Sequence, residues 1–320
     1  MKIVIPGGSG QVGTVLARAF HNDGHDVVVL SRSGPNDSQA RQPWRVLRWT
    51  GVSGGIWAVT LNDADAVINL AGRSVNCRYT ARNRREIMHS RVHSTRMIGE
   101  AIAKTQRPPK VWLQASTATI YAHRYDAPND ELTGSIGGNE PNAPDTWRFS
   151  IDVAKAWERT IDEANTPQTR KVKLRSAMIM SPDRGGIFDS LLTLVRRGLG
   201  GPAAGGAQYI SWIHEADFVR AIYWLIEHTE MDGAVNVAAP NPLPNADFMR
   251  ILRNAAGVSF GLAANRWMLE IGALFMRTET ELILKSRRVI PTRLLESGFT
   301  FRFPHWEEAA RELCERALAR

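Results

Sequence analysis

A doubly wound α/β fold, a parallel sheet with helices on both faces, is what this 320-residue chain predicts, joined to a smaller, mainly helical C-terminal domain. Three observations carry that expectation. Short, wholly apolar runs alternate with amphipathic stretches through the first half, as a sheet buried on both faces requires. The first apolar run ends in glycines at positions 7, 10 and 13, and a helical pattern starts on the last of them. Beyond about residue 240 the periodicity becomes mainly helical. The expected boundaries are one domain over 1–175, with 207–240 returning to it, and a second over 176–320.

The first strand, Ile3-Val4-Ile5, runs into Gly7-Gly8-Ser9-Gly10-Gln11-Val12-Gly13. Gly7 allows the tight turn, Gly10 lets a pyrophosphate approach the backbone, and Gly13 lets the helix pack closely on the strand. The helix N-terminus then offers free N–H groups and a positive dipole end to the phosphates. The strand–loop–helix context is that of a Rossmann-type dinucleotide-binding domain, so Gly7, Ser9, Gly10, Gln11, Val12 and Gly13 are expected to hold a pyrophosphate. The competing reading is a loop whose glycines serve packing alone. Val12, Val15, Leu16, Ala19 and Phe20 form the helix's apolar stripe, and Gly24-His25-Asp26 turns the chain into a second strand, Val27–Leu30.

The end of that strand bears on which cofactor binds. A site for NAD(H) places Asp or Glu there for the ribose 2′-hydroxyl. This chain has Ser31-Arg32-Ser33, and a guanidinium pairs with a 2′-phosphate that a carboxylate would repel. NADP(H) is therefore expected over NAD(H), with Arg32 on the 2′-phosphate; an exposed loop arginine is the competing reading.

Further strands are expected at Val46–Trp49, Ala66–Leu70, Val111–Ser116, Val172–Arg175 and Ser211–His214. Ligands in such folds bind beyond the carboxyl ends of the strands, so Leu70, Ala71 and Gly72 are expected to line the cofactor. A polar stretch over Ser33–Pro43 and a longer one over Tyr125–Trp147 read as loops, the second covering the site. A helix runs through Trp157-Glu158. The segment Gly200–Gly206 reads as a flexible closure over a ligand, and the helix after His214 buries Phe218, Ala221, Ile222 and Leu225. Phe299, Phe301 and Phe303 alternate near the end.

Composition narrows the function class. A net charge of +8 raises a nucleic-acid hypothesis, but the arginines are scattered and no basic block is interleaved with aromatics, so no nucleic-acid partner is expected. No apolar run reaches membrane-spanning length. Met1 leads directly into a core strand where a signal peptide would sit, so a cytoplasmic protein without a membrane partner is expected. Cys77 and Cys314 are too few and too isolated for a disulfide framework or a metal site. The expected partner is a small-molecule substrate, with a homodimer left open.

Taken in order, Gly7–Gly13, Asn69-Leu-Ala-Gly72, Ser90-Arg91-Val92 with Thr95, Trp157-Glu158, Ser211-Trp-Ile-His214 with Asp217, and Gly298-Phe299-x-Phe301 with Pro304 resemble an extended short-chain dehydrogenase/reductase. More narrowly, they resemble the epimerase-family group classed as NAD(P)-dependent nucleotide-sugar epimerases with their own C-terminal domain. The resemblance spans the chain and implies a bound nicotinamide dinucleotide and a cleft between two domains. In the wider superfamily a Tyr, and a Lys four residues later, do the acid/base work with a Ser or Thr and often an Asn. By the resemblance the tyrosine position falls on Ser150, the lysine position on Ala154 and the asparagine position on Arg91. Lys155 is one residue off, about 100° around a helix.

Thr117 matches the superfamily's Ser/Thr position, where its hydroxyl would hold a substrate oxygen; satisfying strand-end backbone groups is the alternative. Tyr121 is the remaining proton-donor candidate, a phenol beside arginines that would titrate nearer neutrality, against a core tyrosine bonded to its surroundings. Arg78, Arg82 and Arg85 share a face if that segment is helical, with Arg84 and Arg91 on another. A solvated basic face competes with a pocket for a phosphate or carboxylate, to which Arg91 would contribute. Asp217 reads as a helix N-cap with His214 packed beneath it. The leading expectation is an NADP(H)-binding oxidoreductase or epimerase-like enzyme acting on a polar small molecule such as a nucleotide-sugar. The alternative is a non-catalytic NADP(H)-binding regulator or sensor lacking the Tyr/Lys dyad.

Overall fold

In the computed structural model, residues 1–33, 42–51, 54–141, 143–275 and 279–319 are described. The polar stretch after Ser33 therefore falls largely outside the described residues. The elements are β1 (Lys2–Pro6), α1 (Gln11–Asn22), β2 (Asp26–Ser31), β3 (Arg45–Arg48), the single turn α2 (Ile56–Val59), β4 (Ala66–Asn69), α3 (Ala81–Ala103), β5 (Val111–Ala115), α4 (Asp145–Asp162) and β6 (Arg170–Ser176). They continue with β7 (Met178–Met180), α5 (Ile187–Arg196), β8 (Tyr209–Ile210), β9 (Trp212–His214), α6 (Glu215–Glu227), β10 (Gly233–Val237), β11 (Leu243–Pro244), α7 (Asn245–Ala255), α8 (Arg266–Phe275), α9 (Glu281–Leu284), α10 (Thr292–Glu296) and α11 (Trp306–Leu318).

Seven strands form a parallel sheet in the order β3-β2-β1-β4-β5-β6-β10. The order reverses between β1 and β4, which makes the crevice beyond their C-terminal ends the place where such a sheet receives a ligand. The inner strands β1, β2 and β4 are largely apolar because successive side chains are buried on opposite faces, whereas β3 and β6 carry arginines or lysines alongside their apolar residues. Ile3 and Ile5 pack with Leu16 and Phe20 of α1 and with Phe218, Ile222 and Leu225 of α6. Val4 packs on the other face with Ile98 and Ile102 of α3 and Ile161 of α4. In α1 the buried stripe takes in Ala17, while Val12 and Ala19 are half-buried.

A second core, around Trp212, Phe248, Trp306 and Leu313, joins α5, α7 and α11 beside the sheet. β9 pairs with β7 there in a separate two-stranded sheet. Neither β7 nor β10 stood out in the sequence: β7 follows β6 after Ala177 alone, and Gly233-Ala-Val-Asn-Val237 is short and interrupted by Asn236. The segment Gly200–Gly206 is not a free closure. Gly201 N donates to Leu262 O, Ala204 N to Ala264 O and Ala264 N to Pro202 O, at 2.7–3.2 Å. The long loop is fixed as well, with Asn129 Oδ1 accepting from Ser135 N and Asn129 N donating to Arg288 O. Its expected end at Trp147 belongs to α4, which starts at Asp145.

Two capping expectations change. His214, not Asp217, caps α6: its Nδ1 accepts from Ala216 N at 3.0 Å, while Nε2 lies 3.0 Å from Glu312 Oε2. Asp217 is fully buried and accepts from Arg302 N (2.7 Å) and Phe303 N (2.8 Å). It thereby pins the alternating phenylalanine segment, which puts Phe299 and Phe303 into the two cores. Replacing Asp217 with Ala leaves the buried Phe303 N–H and the part-buried Arg302 N–H unpaired. The expected loss is about 1–3 kcal/mol of stability, read by urea denaturation; an unchanged midpoint would count against the pinning role.

Candidate functional site

The glycine loop leaves β1 with Gly7 at φ +77°. Gly7 N donates to Leu30 O of β2, and a Cβ on Gly7 would lie 2.6 Å from the Ala71 backbone. Only glycine therefore lets the exits of β1 and β4 approach one another here. At Gly13 a Cβ would overlap the Gly8 backbone, so this residue serves the close seating of α1. Gly10 differs from both: its nearest neighbour would be Gly7 O, at 3.7 Å. Nothing within the protein requires glycine there by contact. Gly10 also caps α1, with no side-chain cap and no acidic residue in the first turn, so the first-turn N–H groups and the positive dipole end remain for a ligand.

Ser9 is exposed, and its hydroxyl accepts from buried Ser31 at 3.1 Å. Gln11 and Val12, which open α1, are half-buried. The Gln11 amide lies against Gly186 at the start of α5, with Nε2 buried and unpartnered. Arg32 is exposed and forms no ion pair among the described residues. At the exit of β4, Asn69 Nδ2 donates to Gln114 Oε1 (2.9 Å), and Asn69 Oδ1 accepts from Ala71 N (3.1 Å). Leu70 N donates to Pro6 O, so Leu70, Ala71 and exposed Gly72 line the crevice beside the loop.

Gly72 abuts the guanidinium of Arg91. Arg91 donates through Nη1 to Arg73 O (2.9 Å) and Ile87 O (3.2 Å), and stands 5.0 Å over the Trp157 ring. It has no carboxylate partner among the described residues, and burial draws its pKa down to about 10. The rest of the arginine run is spent otherwise. Arg78 precedes the helix and meets Glu279, Arg82 pairs with Glu86, and Arg84 pairs with Asp145. The shared basic face expected from Arg78, Arg82 and Arg85 therefore does not form.

Arg91 lines a cavity of about 220 Å³ with Thr117, Ser150, Ala154 and Trp157. Ser150 and Ala154, the tyrosine and lysine positions by resemblance, both face it, while Lys155 points its ammonium towards Gly138 of the long loop. Thr117 also lines an adjoining cavity of about 400 Å³. Its hydroxyl accepts from Thr119 N at 3.1 Å, so it serves the backbone turn and faces the cavities at once.

Tyr121 requires correction. It is 2 % exposed, lines neither cavity, donates to Asn236 Oδ1 (2.9 Å) and accepts from Arg175 Nη1 (3.0 Å). Burial raises its pKa, and the nearby Arg175 charge only partly opposes this. Arg175 is itself engaged by Glu158 through two bonds of 2.8 and 2.9 Å, and Ser116 Oγ donates to the same carboxylate. The phenol is thus engaged by Asn236 and Arg175, away from both cavities.

The segment 279–289 brings groups to the cleft that the sequence reading missed. Glu281, 1 % exposed, accepts from Ser150 Oγ at 2.5 Å, and burial raises its pKa. Tyr79, whose hydroxyl neighbours Ser150, is pushed up to about 12 by burial and by Glu281. Lys285 Nζ donates to Thr119 O (2.6 Å), and Arg287 Nε donates to Thr119 Oγ1 (3.0 Å). In the sequence the only trace was Lys285-Ser-Arg-Arg288 set between apolar runs, which reads equally well as surface.

The parallel sheet, the bare glycine loop and the crevice at the switch point are those of a Rossmann-type α/β protein. Residues 3–238 match the NAD dependent epimerase/dehydratase family, and the chain belongs to that family. Residues 266–313 match a domain of unknown function, DUF1731. The chain is 30% identical over 319 residues to the human epimerase family protein SDR39U1, covering 98% of this chain and 99% of that one. It is 28% identical to the epimerase family protein YfhF of Bacillus subtilis, covering 98% of each. The crystal structure of human SDR39U1 (isoform 2) with NADPH superposes with a TM-score of 0.84 at 28% identity, over 98% of this chain and 99% of that one. A nucleoside-diphosphate sugar epimerase from Corynebacterium glutamicum superposes with a TM-score of 0.74 at 26% identity, over 98% of this chain but 58% of that one. Among the described residues no helix is long and apolar enough to cross a membrane, and no cluster of metal-ligating side chains forms.

Replacing Tyr121 with Phe is expected to cost about 1–3 kcal/mol of unfolding free energy and to leave cofactor affinity unchanged. Parallel denaturation and calorimetric titration check this; a loss of binding with stability intact would return Tyr121 to the site.

Proposed function

We propose that this protein binds NADP(H) along the glycine loop and uses it to reduce or oxidise a small molecule in the adjoining cleft. The observation that carries this reading is Gly10. It is the one member of the three-glycine pattern whose lack of a side chain satisfies no contact inside the protein, and it caps a helix with no cap of its own. The NADPH named with the human relative supports the same reading. Gly7, Ser9, Gly10, Gln11, Val12 and Gly13 would hold the pyrophosphate. Ser31 and Arg32 would meet the 2′-phosphate, and Leu70, Ala71 and Gly72 the ribose side.

NADPH supplies a hydride to a carbonyl carbon, or in its oxidised form accepts one. The residues of this chain must then hold the carbonyl oxygen and manage its proton. Thr117 and Arg91 donate towards that oxygen. Glu281, bonded to Ser150 and kept protonated further up the pH scale by burial, supplies the proton and is left as a carboxylate. The absence of tyrosine and lysine at 150 and 154 supports a second reading, a sensor that binds NADP(H) without turnover. Within either reading the Rossmann-type unit is taken as 1–175 with 207–240, and the remainder forms the cleft's outer wall.

Arg32→Ala is expected to weaken NADPH by about 1–3 kcal/mol while leaving NADH nearly unchanged, measured by calorimetric titration at one ionic strength. Equal losses for the two cofactors would remove Arg32 from the 2′-phosphate. Transfer of label from [4-²H]NADPH to any compound in a carbonyl and sugar-nucleotide screen separates the enzyme from the sensor.

A further inference from the structure

The larger cavity, about 400 Å³, is bounded mainly by apolar side chains of α5, α7 and α8, among them Leu191, Leu194, Met249 and Leu269. Cations line one wall. Lys285 is 1 % exposed, forms no ion pair among the described residues, and has one hydrogen-bond partner, Thr119 O, for its three donors. Arg287 stands beside it, held by the Thr119 hydroxyl and 3.7 Å from Glu281. A buried ammonium with no carboxylate in direct contact is costly, and here it faces a space that a ligand can enter. A nucleotide-sugar carries two phosphates and many hydroxyls, which this apolar lining would desolvate without compensation.

We infer that this cavity takes the apolar body of a substrate with a single carboxylate head, and that Lys285 meets that head, with Arg287 adding charge behind it. This rests on the oxidoreductase reading and gives its substrate class: an apolar carboxylic acid bearing the carbonyl or hydroxyl that reacts near Thr117. The carboxylate satisfies donors that the protein leaves idle, and the alkyl body replaces water against the leucines and methionine.

Burial, reinforced by the Arg287 charge, draws the Lys285 pKa down to about 8, with Glu281 and Glu140 pulling the other way. His123 of the long loop also lies within range, and its own pKa is lowered by burial and by Lys285. The ammonium is therefore fully present below pH 8 and is lost as pH rises through that value. Affinity for a carboxylate should fall as pH rises through that value and level off about tenfold lower, where the amine is neutral.

The test is calorimetric titration of the NADPH-saturated protein with octanoate, octanol and UDP-glucose. Octanoate should bind, octanol should bind about tenfold more weakly or worse, as expected for a lost charge-assisted contact, and UDP-glucose should not enter this cavity. Lys285→Met should lose octanoate by a similar factor, and Lys285→Arg should keep it. Met249→Trp, which fills the cavity, should abolish octanoate binding while NADPH still binds. Equal binding of octanoate and octanol, or octanoate binding that survives both Lys285→Met and Met249→Trp, would overturn the inference; so would competition between octanoate and UDP-glucose with UDP-glucose the tighter. The octanoate–octanol comparison needs no variant, so it decides the matter even if Lys285→Met does not fold. If NADPH itself fails to bind the wild-type chain, the cofactor reading fails instead, which is a distinguishable result.

Discussion

The cleft of this protein depends on one buried ion pair. Arg175 at the end of β6 is gripped by two bonds from Glu158 of α4, and the same carboxylate accepts from Ser116 where β5 leaves the sheet. Arg175 also donates to Tyr121, which passes the connection to Asn236 on β10. Asn236 in turn donates its side-chain amide to Ile290 O and its backbone N–H to Glu131 Oε1 of the long loop. Helix, three strand ends, loop and C-terminal segment are thus registered by one polar network. Burial works against the arginine's charge, but Glu158 outweighs it and holds the guanidinium pKa above its ordinary value. Such a network is rigid only while every member is satisfied.

That frame explains how a cleft persists without the residues that usually work in it. Ser150 and Ala154 stay at positions facing the smaller cavity because α4 is fixed through Glu158, two turns on. Space that a tyrosine and a lysine would occupy is instead met by a segment from the other end of the chain. Glu281 reaches Ser150, and Lys285 and Arg287 reach Thr119. The C-terminal region therefore does more than cover the sheet: it brings Glu281, Lys285 and Arg287 to the cleft beside Tyr79 and Arg91.

The sheet and the glycine loop were legible because their physics is local. A doubly buried strand must be apolar throughout, and a loop that turns, admits a ligand and seats a helix needs glycine at fixed spacing. Gly7 and Gly13 each show a separate steric reason in three dimensions, whereas Gly10 shows none inside the protein. Tyr121 was misread for the opposite cause. Its neighbouring arginine suggested a lowered pKa, but burial and the bonds from β6 and β10, distant in sequence, decide the outcome. His214 and Asp217 exchanged roles for the same reason: Asp217 serves Arg302 and Phe303, more than eighty residues away. Glu281, Lys285 and Arg287 were invisible as site residues because only the docking of 279–289 onto Thr119, Ser150 and Asn129 brings them to the cleft.

The account stands or falls on whether the glycine loop receives a phosphorylated dinucleotide. The decisive measurement is calorimetric titration of the purified wild-type protein with NADPH and, separately, with NADH at the same ionic strength. One-site binding with clear preference for NADPH is the predicted result. Binding of neither would mean that Gly7, Gly10 and Gly13 serve folding alone, and the cleft beside them would need another explanation.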